Sequence, residues 1–338
     1  MLTFFYAIMA INIVLVNVLK DYDMLDIFRY VQLEMLYGIG PALYFYTRSV
    51  TNPNFTFSKK HLLHFLPLVL EFIFYRTSIY RIGADGLYVN PLPSLSYVYL
   101  VQQWIGILSI ITYSIISLSL LYKHQSLLKQ YYASLDKRSN NWLKLPILIY
   151  GSFFILWSVL TEIDRFFFDR SLREYYFLPT FIGLSILTTW ISFQGYLRKN
   201  NYSTPSDIPK KSNVTSNVFL EKDQHFIDKL QQLMQDKKPY LNPEINLAKL
   251  SDLLNMKPKQ VSLKINQNCS QNFYDLINDY RITEFKQRLK DPESHKLSLL
   301  AIAFECGFNS KSTFNHIFKK KMQVTPSEYF KVLKNKSE

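Results

Sequence analysis

Residues 298–328 read SLLAIAFECGFNSKSTFNHIFKKKMQVTPSE, which is the pattern of two short helices joined by a turn. Ser298 is a typical N-cap for the first helix, and Gly307 supplies the left-handed residue that ends it. The second helix, from about Ser310, has its apolar residues at i, i+3 and i+4 and its polar and basic residues on the opposite face. The stretch therefore predicts a helix-turn-helix whose second helix suits a DNA groove.

The neighbouring sequence extends this unit in both directions. Residues 325–328 (TPSE) combine an N-cap, a proline at the first helical position and a capping-box glutamate, so they predict a further helix. Upstream, residues 247–265 repeat the helix-turn-helix spacing, with Asn255 as the left-handed residue of the turn. Residues 271–290 place six apolar side chains largely on one side of a long helix, which would join the two units rigidly.

These segments together resemble the AraC/XylS family of bacterial transcription regulators. The resemblance is carried by NLAKLSDLLNMKPKQVSLKIN, NFYDLINDYRITEFKQRL, AFECGFNSKSTFNHIFKK and TPSEY, in family order and at family spacing. It implies a seven-helix domain that inserts two recognition helices into successive segments of the major groove. The chain departs from the family pattern at Leu263, which stands where a polar residue is usual, and at Ser270 and Gln323, which stand where glycine is common.

The resemblance also implies which side chains meet DNA. By motif position, the candidates for base contacts lie on the outward, N-terminal part of each second helix: Lys259, Gln260, Ser262, Lys311, Ser312, Thr313 and His316. The lysines near the end of the second recognition helix, Lys319, Lys320 and Lys321, are expected to contact backbone phosphate rather than bases. The alternative for every member of the set is an ordinary solvated helix face.

The first two hundred residues have a different composition. Four stretches contain no charged residue, and two further apolar stretches are interrupted only by Glu34 or by Glu71 and Arg76. Because about 20 apolar residues are needed to cross a bilayer as a helix, we expect six membrane spans. The six stretches are residues 1–19, 30–47, 62–79, 91–122, 145–161 and 175–197. A cleavable signal peptide is the competing interpretation of residues 1–19, and a further upstream span is an open alternative.

Loop charge gives an independent test of this topology. With the N-terminus inside, the predicted cytoplasmic loops carry most of the positive charge, whereas the outer loops contain more acidic residues, as the positive-inside rule requires. The cytoplasmic set is Arg48, Lys59, Lys60, Lys123, Lys129, Lys137, Arg138, Lys144, Arg198 and Lys199. This arrangement leaves both termini in the cytoplasm, where a DNA-binding domain must be, and predicts a multi-pass protein of a bacterial inner membrane.

The overall composition is consistent with two parts of different chemistry. The chain has a net charge of +13, and its mean hydropathy of −0.03 averages an apolar first part with a polar, lysine-rich last part. Residues 238–338 contain 17 Lys and Arg against 10 Asp and Glu, a net of +7. We predict an all-α chain with a helical membrane domain at 1–199, a flexible linker at 200–217 and a double helix-turn-helix domain at 218–338.

The function predicted from these parts is a membrane-bound, sequence-specific transcription regulator that couples a membrane-sensed signal to gene expression. Double-stranded DNA, the bilayer, a second copy of the chain and a small or lipid-borne signal are its expected partners. Glu34 and Glu71 are candidate sensing residues, because ionisable groups within membrane spans are costly; the alternative is that they lie at an interface or pair with a neighbouring helix.

No catalytic pattern or cofactor site is predicted. The two cysteines, Cys269 and Cys306, are far apart and lack a metal-ligand spacing, so they are interpreted as reduced structural thiols. The alternative function is a membrane transporter or membrane enzyme with an attached regulatory DNA-binding domain. The predicted spans show no inverted repeat and no cluster of catalytic polar groups that would favour it.

Overall fold

The structure is a computed structural model that describes most of the chain after residue 35. The described residues are 36–52, 54–74, 80–83, 86–89, 95–135, 139–169, 171–198, 223–291, 293 and 296–337. The first predicted span, the candidate Glu34 and the predicted linker lie outside these residues. The chain divides into two compact units, one made of Met1–Lys123 and Asn140–Tyr202 and the other of His124–Ser139 and Ser203–Glu338.

The first unit is mainly helical. Its elements are α1 (Leu36–Thr51), a 3-10 helix (Lys59–Phe65), α2 (Leu66–Phe74), β1 (Tyr80–Gly83), β2 (Gly86–Val89), α3 (Leu95–Tyr131), a 3-10 helix (Asn141–Leu143), α4 (Lys144–Phe167) and α5 (Arg173–Arg198). Strands β1 and β2 form an antiparallel pair. Within the described residues, the expectation of an all-α chain is corrected only at this antiparallel pair.

The helices of the first unit bury one apolar face and leave another exposed. The inward face is a cluster that includes Ile39, Leu43, Ile147 and Tyr150, each at most 1% exposed. The outward faces of α3, α4 and α5 are also apolar and include Leu108, Ile115, Leu148, Leu156 and Ile186, each more than half exposed. Within the described residues, two helical stretches, Leu100–Tyr131 and Asn141–Phe167, are long and apolar enough to cross a membrane by length and composition alone.

The second unit contains seven α-helices within residues 223–337, which is the number implied by the resemblance. They are α6 (Gln224–Asp236), α7 (Leu247–Leu254), α8 (Pro258–Cys269), α9 (Phe273–Arg288), α10 (Leu299–Glu305), α11 (Lys311–Met322) and α12 (Pro326–Ser337). The pairs α7–α8 and α10–α11 are the two predicted helix-turn-helix units. Most of these helices begin at a side-chain N-cap, and the capping box between Thr325 and Glu328 is formed as expected.

Helix α9 joins two separate hydrophobic cores. Phe273, Leu276 and Ile277 on its first half belong to the core of the first helix-turn-helix, which also receives α6. Ile282 and Phe285 on its second half belong to the core of the second one. The apolar residues predicted for this helix are thus divided between the two helix-turn-helix pairs, and α9 fixes one pair to the other.

Candidate nucleic-acid interface

Helix α11 packs its apolar face into the core of the second helix-turn-helix and has a side-chain cap at its start. Phe314, Ile317 and Phe318 are buried, as the spacing predicted. The hydroxyl of Ser310 accepts a hydrogen bond from the backbone N–H of Thr313 at 3.2 Å, which fixes the first turn. The candidate side chains of this helix follow from that anchoring: Lys311, Ser312 and His316 are exposed and Thr313 is half-buried.

The first recognition helix is held in the same manner. Val261 and Ile265 are completely buried against the first core, so the opposite face of α8 points outward. Lys259 and Gln260 are exposed and Ser262 is half-buried. The side-chain oxygen of Gln260 accepts a hydrogen bond from the backbone N–H of Lys257, at 3.4 Å, across the start of the helix. The members of this candidate set therefore occupy the solvent-facing start of α8.

One position on α8 differs in chemistry from the rest of that surface. The side chain of Leu263 is 46% exposed and lies among polar neighbours on the outward side of the helix. An apolar side chain there can contact the methyl group of thymine but cannot accept or donate a hydrogen bond to a base edge. Leu263 thus belongs to the interface by position, with a different kind of contact from Gln260.

The lysines at the end of α11 do not all behave alike. Lys319 and Lys320 are exposed, as expected for side chains that reach phosphates, and they lie where the helix dipole favours positive charge. Lys321 instead forms an ion pair with Asp279 on α9. The structure therefore separates the lysine run into two candidates for DNA contact and one side chain that ties α11 to α9.

A buried polar network on α9, which was not predicted from the sequence, lies beneath the surface formed by α8 and α11. Arg281 is 1% exposed and donates hydrogen bonds from Nε to the carbonyl oxygen of Tyr240 at 2.8 Å and from Nη2 to that of Asn242 at 3.0 Å. Burial lowers the pKa of Arg281 to about 10, which still leaves it cationic at neutral pH. The signal for this network was the polar set at i, i+3, i+6 on the apolar side of α9: Asn278, Arg281 and Glu284.

The turn of the second helix-turn-helix closes directly on this network. Gly307 has φ of +93°, and a Cβ atom there would lie 2.4 Å from the carbonyl oxygen of Tyr240 and 3.0 Å from Nε of Arg281. No side chain fits at that distance, so the predicted turn glycine is required for both its conformation and its close approach. Arg281 thereby connects the 3-10 helix Pro239–Leu241 to the turn that positions α11.

Glu284 organises a second group of polar contacts on the same helix. Its carboxylate accepts hydrogen bonds from Lys238 at 3.0 Å, from the hydroxyl of Tyr240 at 3.1 Å and from Arg288 at 3.1 Å. Burial by itself raises the pKa of Glu284, but these three donors outweigh it and hold the pKa below its usual value. Arg288 also forms an ion pair with Glu305 at 2.6 Å, which links α9 to α10, the first helix of the second helix-turn-helix.

The candidate sensing residues have separate outcomes. Glu34 lies outside the described residues. Glu71, near the end of α2, is half-buried and accepts a hydrogen bond from the side-chain amide of Gln102 on α3. The structure thus places Glu71 in a polar contact between two helices of the first unit, which is the pairing that sequence analysis gave as the alternative to sensing.

Comparison with known proteins identifies the second unit. A family model described as a helix-turn-helix domain matches residues 250–331, from α7 to α12, and so spans both helix-turn-helix pairs. The chain therefore carries an AraC-type helix-turn-helix domain, a DNA-binding module of transcription regulators rather than of an enzyme family. Searches among curated proteins and solved structures returned no match.

Proposed function

We propose that this protein is a membrane-bound transcription regulator that recognises specific DNA sequences through α8 and α11 and responds to a signal received by its first unit. The observation that carries the DNA-binding part is the outward presentation of two polar, partly basic helix starts in a matched helix-turn-helix domain. Each start is fixed by a cap and by buried anchors, so the side chains that would meet base edges are held on rigid elements.

The apolar outer faces of the first unit support the membrane part of the proposal. Large aliphatic side chains on α3, α4 and α5, such as Leu108 and Ile186, are more than 60% exposed. Contiguous exposed apolar surface on several helices is unfavourable in water and favourable in lipid. Together with the charge bias of the predicted loops, these faces support the proposal of a chain in a bacterial inner membrane, with both termini in the cytoplasm and six spans.

A membrane location would also constrain the signal. The hairpin β1–β2 is a short element, and the predicted outer loops leave little room for a separate extracellular domain. A small, lipid-borne or membrane-protein signal therefore fits the first unit best. It would change the packing of these helices or the association of two copies, and so alter how two DNA-binding domains meet their half-sites.

The experiment that tests sequence recognition compares two lysines on one helix. The full chain is used to select duplexes from a random library, and binding of the selected and of unrelated duplexes is measured at several salt concentrations. We expect Lys311→Ala to cost about 1–3 kcal/mol on the selected duplex and to relax its sequence preference. Lys320→Ala should weaken all duplexes uniformly and reduce the salt slope by about one. Equal effects of both substitutions on every duplex would contradict the assignment.

A further inference from the structure

The end of α3 and the residues that follow it pack against the DNA-binding domain, although they would form a connection between two spans in the proposed topology. This stretch, His124–Ser139, is called the docking segment here, and its described residues are 124–135 and 139. Connecting loops are normally exposed. In this segment the side chains of His124, Leu128, Tyr132, Ala133, Ser134 and Leu135 are all at most 8% exposed.

Ala133 is the centre of this contact. It is 0% exposed and belongs to the core cluster of the first helix-turn-helix, together with residues of α6 to α9. Its carbonyl oxygen accepts a hydrogen bond from the side-chain amide of Asn278 at 3.2 Å, and Asn278 is itself 1% exposed. A buried hydrogen bond to the backbone fixes the position of the segment along α9 more closely than apolar contact alone.

Further contacts on either side extend the docked surface. Tyr132 forms an isolated antiparallel bridge with Asn246, the N-cap of α7. Leu128, Tyr132 and Leu135 form a small cluster with Tyr274 of α9, and Nζ of Lys129 lies 5.6 Å from the centre of the Tyr274 ring. Tyr274 also packs against the core of the second helix-turn-helix. The docking segment thus touches residues that belong to both halves of the domain.

A hydrogen-bonded path leads from this contact towards the recognition helices. Asn278 donates to Ala133 and accepts a hydrogen bond from Nη1 of Arg281, at 3.4 Å. Arg281 in turn holds the 3-10 helix Pro239–Leu241 against the turn at Gly307, as described above. With the segment docked, Lys259 and Lys311 remain exposed, so docking leaves both candidate DNA-contacting surfaces open.

We propose that the docking segment is a regulatory contact that holds the DNA-binding domain through α9 and passes changes in α3 to it; this inference rests on the proposed function. Helix α3 continues without a break to Tyr131, so a rotation or axial shift of α3 reaches the docking segment directly. Because segment and domain belong to one chain, effective concentrations on the order of millimolar make even a weak contact well populated. A weak contact of this kind can be broken by a modest change in α3.

The first experiment measures docking without DNA and without a signal. Two serines of the segment are replaced singly in the full chain, Ser134→Cys at a buried position and Ser126→Cys at an exposed one. The two substitutions are nearly isosteric, so neither should disturb the fold. Labelling with a thiol reagent, mapped by mass spectrometry, should be at least about tenfold slower for Ser134→Cys and equal for both in denaturant. Equal rates under native conditions would overturn docking.

The second experiment tests regulation. Ala133→Glu places a charge in the buried contact, outside the helices of the domain itself. It should raise labelling of Ser134→Cys to the level of Ser126→Cys, keep the preference of the full chain for its selected duplex over unrelated duplexes and change reporter expression at least threefold. Ser126→Glu is the matched control and should leave all three unchanged. Undocking without any change in expression would overturn the regulatory role.

The two proposals fail in different ways. A full chain that selects no DNA sequence would contradict the proposed function, and reporter expression would then be flat for every variant. Protection of Ser134→Cys relative to Ser126→Cys would still establish docking in that case, because labelling requires neither DNA nor signal. Conversely, sequence-specific DNA binding together with unprotected Ser134→Cys would support the proposed function and contradict the proposed docking.

Discussion

Among the described residues of the DNA-binding domain, Lys238, Ser270 and Gln323 adopt left-handed backbone conformations without being glycine or asparagine, and the last two each end a recognition helix. Ser270 ends α8 with φ of 52° and Gln323 ends α11 with φ of 61°. The left-handed region costs an ordinary residue about 1–2 kcal/mol, whereas glycine enters it freely. The two positions at which the resemblance implies glycine therefore adopt the left-handed conformation that glycine favours, which lowers the stability of the domain.

The expected result of Gln323→Gly is a more stable domain, by about 1 kcal/mol after the greater flexibility of glycine in the unfolded chain is counted. Cys306 provides the measurement, because it is fully buried and burial raises its pKa to about 12. Labelling of Cys306 in the full chain therefore requires opening of the domain and should slow roughly fivefold. Asn255→Gly is the control and should change the rate less, since asparagine tolerates φ of 53°.

Glu284 makes the stability of the domain dependent on acid. Its pKa is lowered in the folded state, so its contribution is present above the unfolded value of about 4.3 and is lost as the pH falls through the folded pKa. We expect Glu284→Gln to destabilise the domain by about 2 kcal/mol at pH 7 and by progressively less below pH 4.

Hydrogen exchange in α10, compared between variant and wild type at each pH, measures this difference. Glu293→Gln is the matched control, because its ion pair with Lys296 is exposed and contributes little. A difference between Glu284→Gln and wild type that stayed constant from pH 7 to below pH 4 would show that the carboxylate is not stabilised in the folded domain.

At the scale of single elements, α9 is the component on which both recognition helices depend. Its Phe285 ring lies 4.8 Å from that of Phe314 and 5.6 Å from that of Phe318, both on α11. The ion pair between Asp279 and Lys321 connects the same two helices at a second point. The position of α11 is therefore set largely by the buried ring of Phe285 and by the partly exposed ion pair that Asp279 of α9 forms with Lys321.

Phe285→Ala should leave a cavity in the second core and cost about 3–5 kcal/mol. Labelling of Cys306 should accelerate by about a hundredfold or more, and the affinity for the selected duplex should fall because α11 loses its anchor. Phe304→Ala in α10 is the control. Because the Phe304 ring is 45% exposed, this substitution should cost less than about 1 kcal/mol. Comparable effects of the two substitutions would show that Phe285 is not the anchor of α11.

The sequence was sufficient to predict the helices of this domain but not the contacts made by its polar residues. The cap at Ser298, the start of a helix at about Ser310 and the left-handed Gly307 are local features, and each was predicted because its signal lies within a few residues. The partners of Arg281 lie 39 and 41 residues away, so no local pattern specifies them. The hairpin β1–β2 was missed because it lies beside apolar stretches whose length favoured helices.

At the scale of the whole molecule, the proposed membrane location rests on the first unit. We expect the full chain to stay with the membrane fraction of its cells after an alkaline wash that strips peripheral proteins, because its outward helix faces are apolar. A peripheral protein of the same membranes, released by the wash, is the control. Recovery of the intact chain in the supernatant would contradict the membrane location while leaving DNA recognition intact.

The prediction of whole-molecule organisation from sequence had a clear limit. Composition separated an apolar first part from a basic last part, because each property is an average over many residues. The docking segment could not be assigned by composition, since Ala133 and Ser134 are small residues with no distinctive pattern around them. Their burial depends on Asn278, which is 145 residues further along the chain.

That separation also sets an order of assembly during synthesis. Ala133 leaves the ribosome well before Asn278, and at about 5–20 residues per second the 145 residues between them take on the order of 10–30 s to translate. Throughout that interval Leu128, Tyr132 and Leu135 have no α9 surface to cover them. Docking is therefore one of the last steps in making the chain, and a product interrupted before α9 would carry an apolar cluster that lacks its partner.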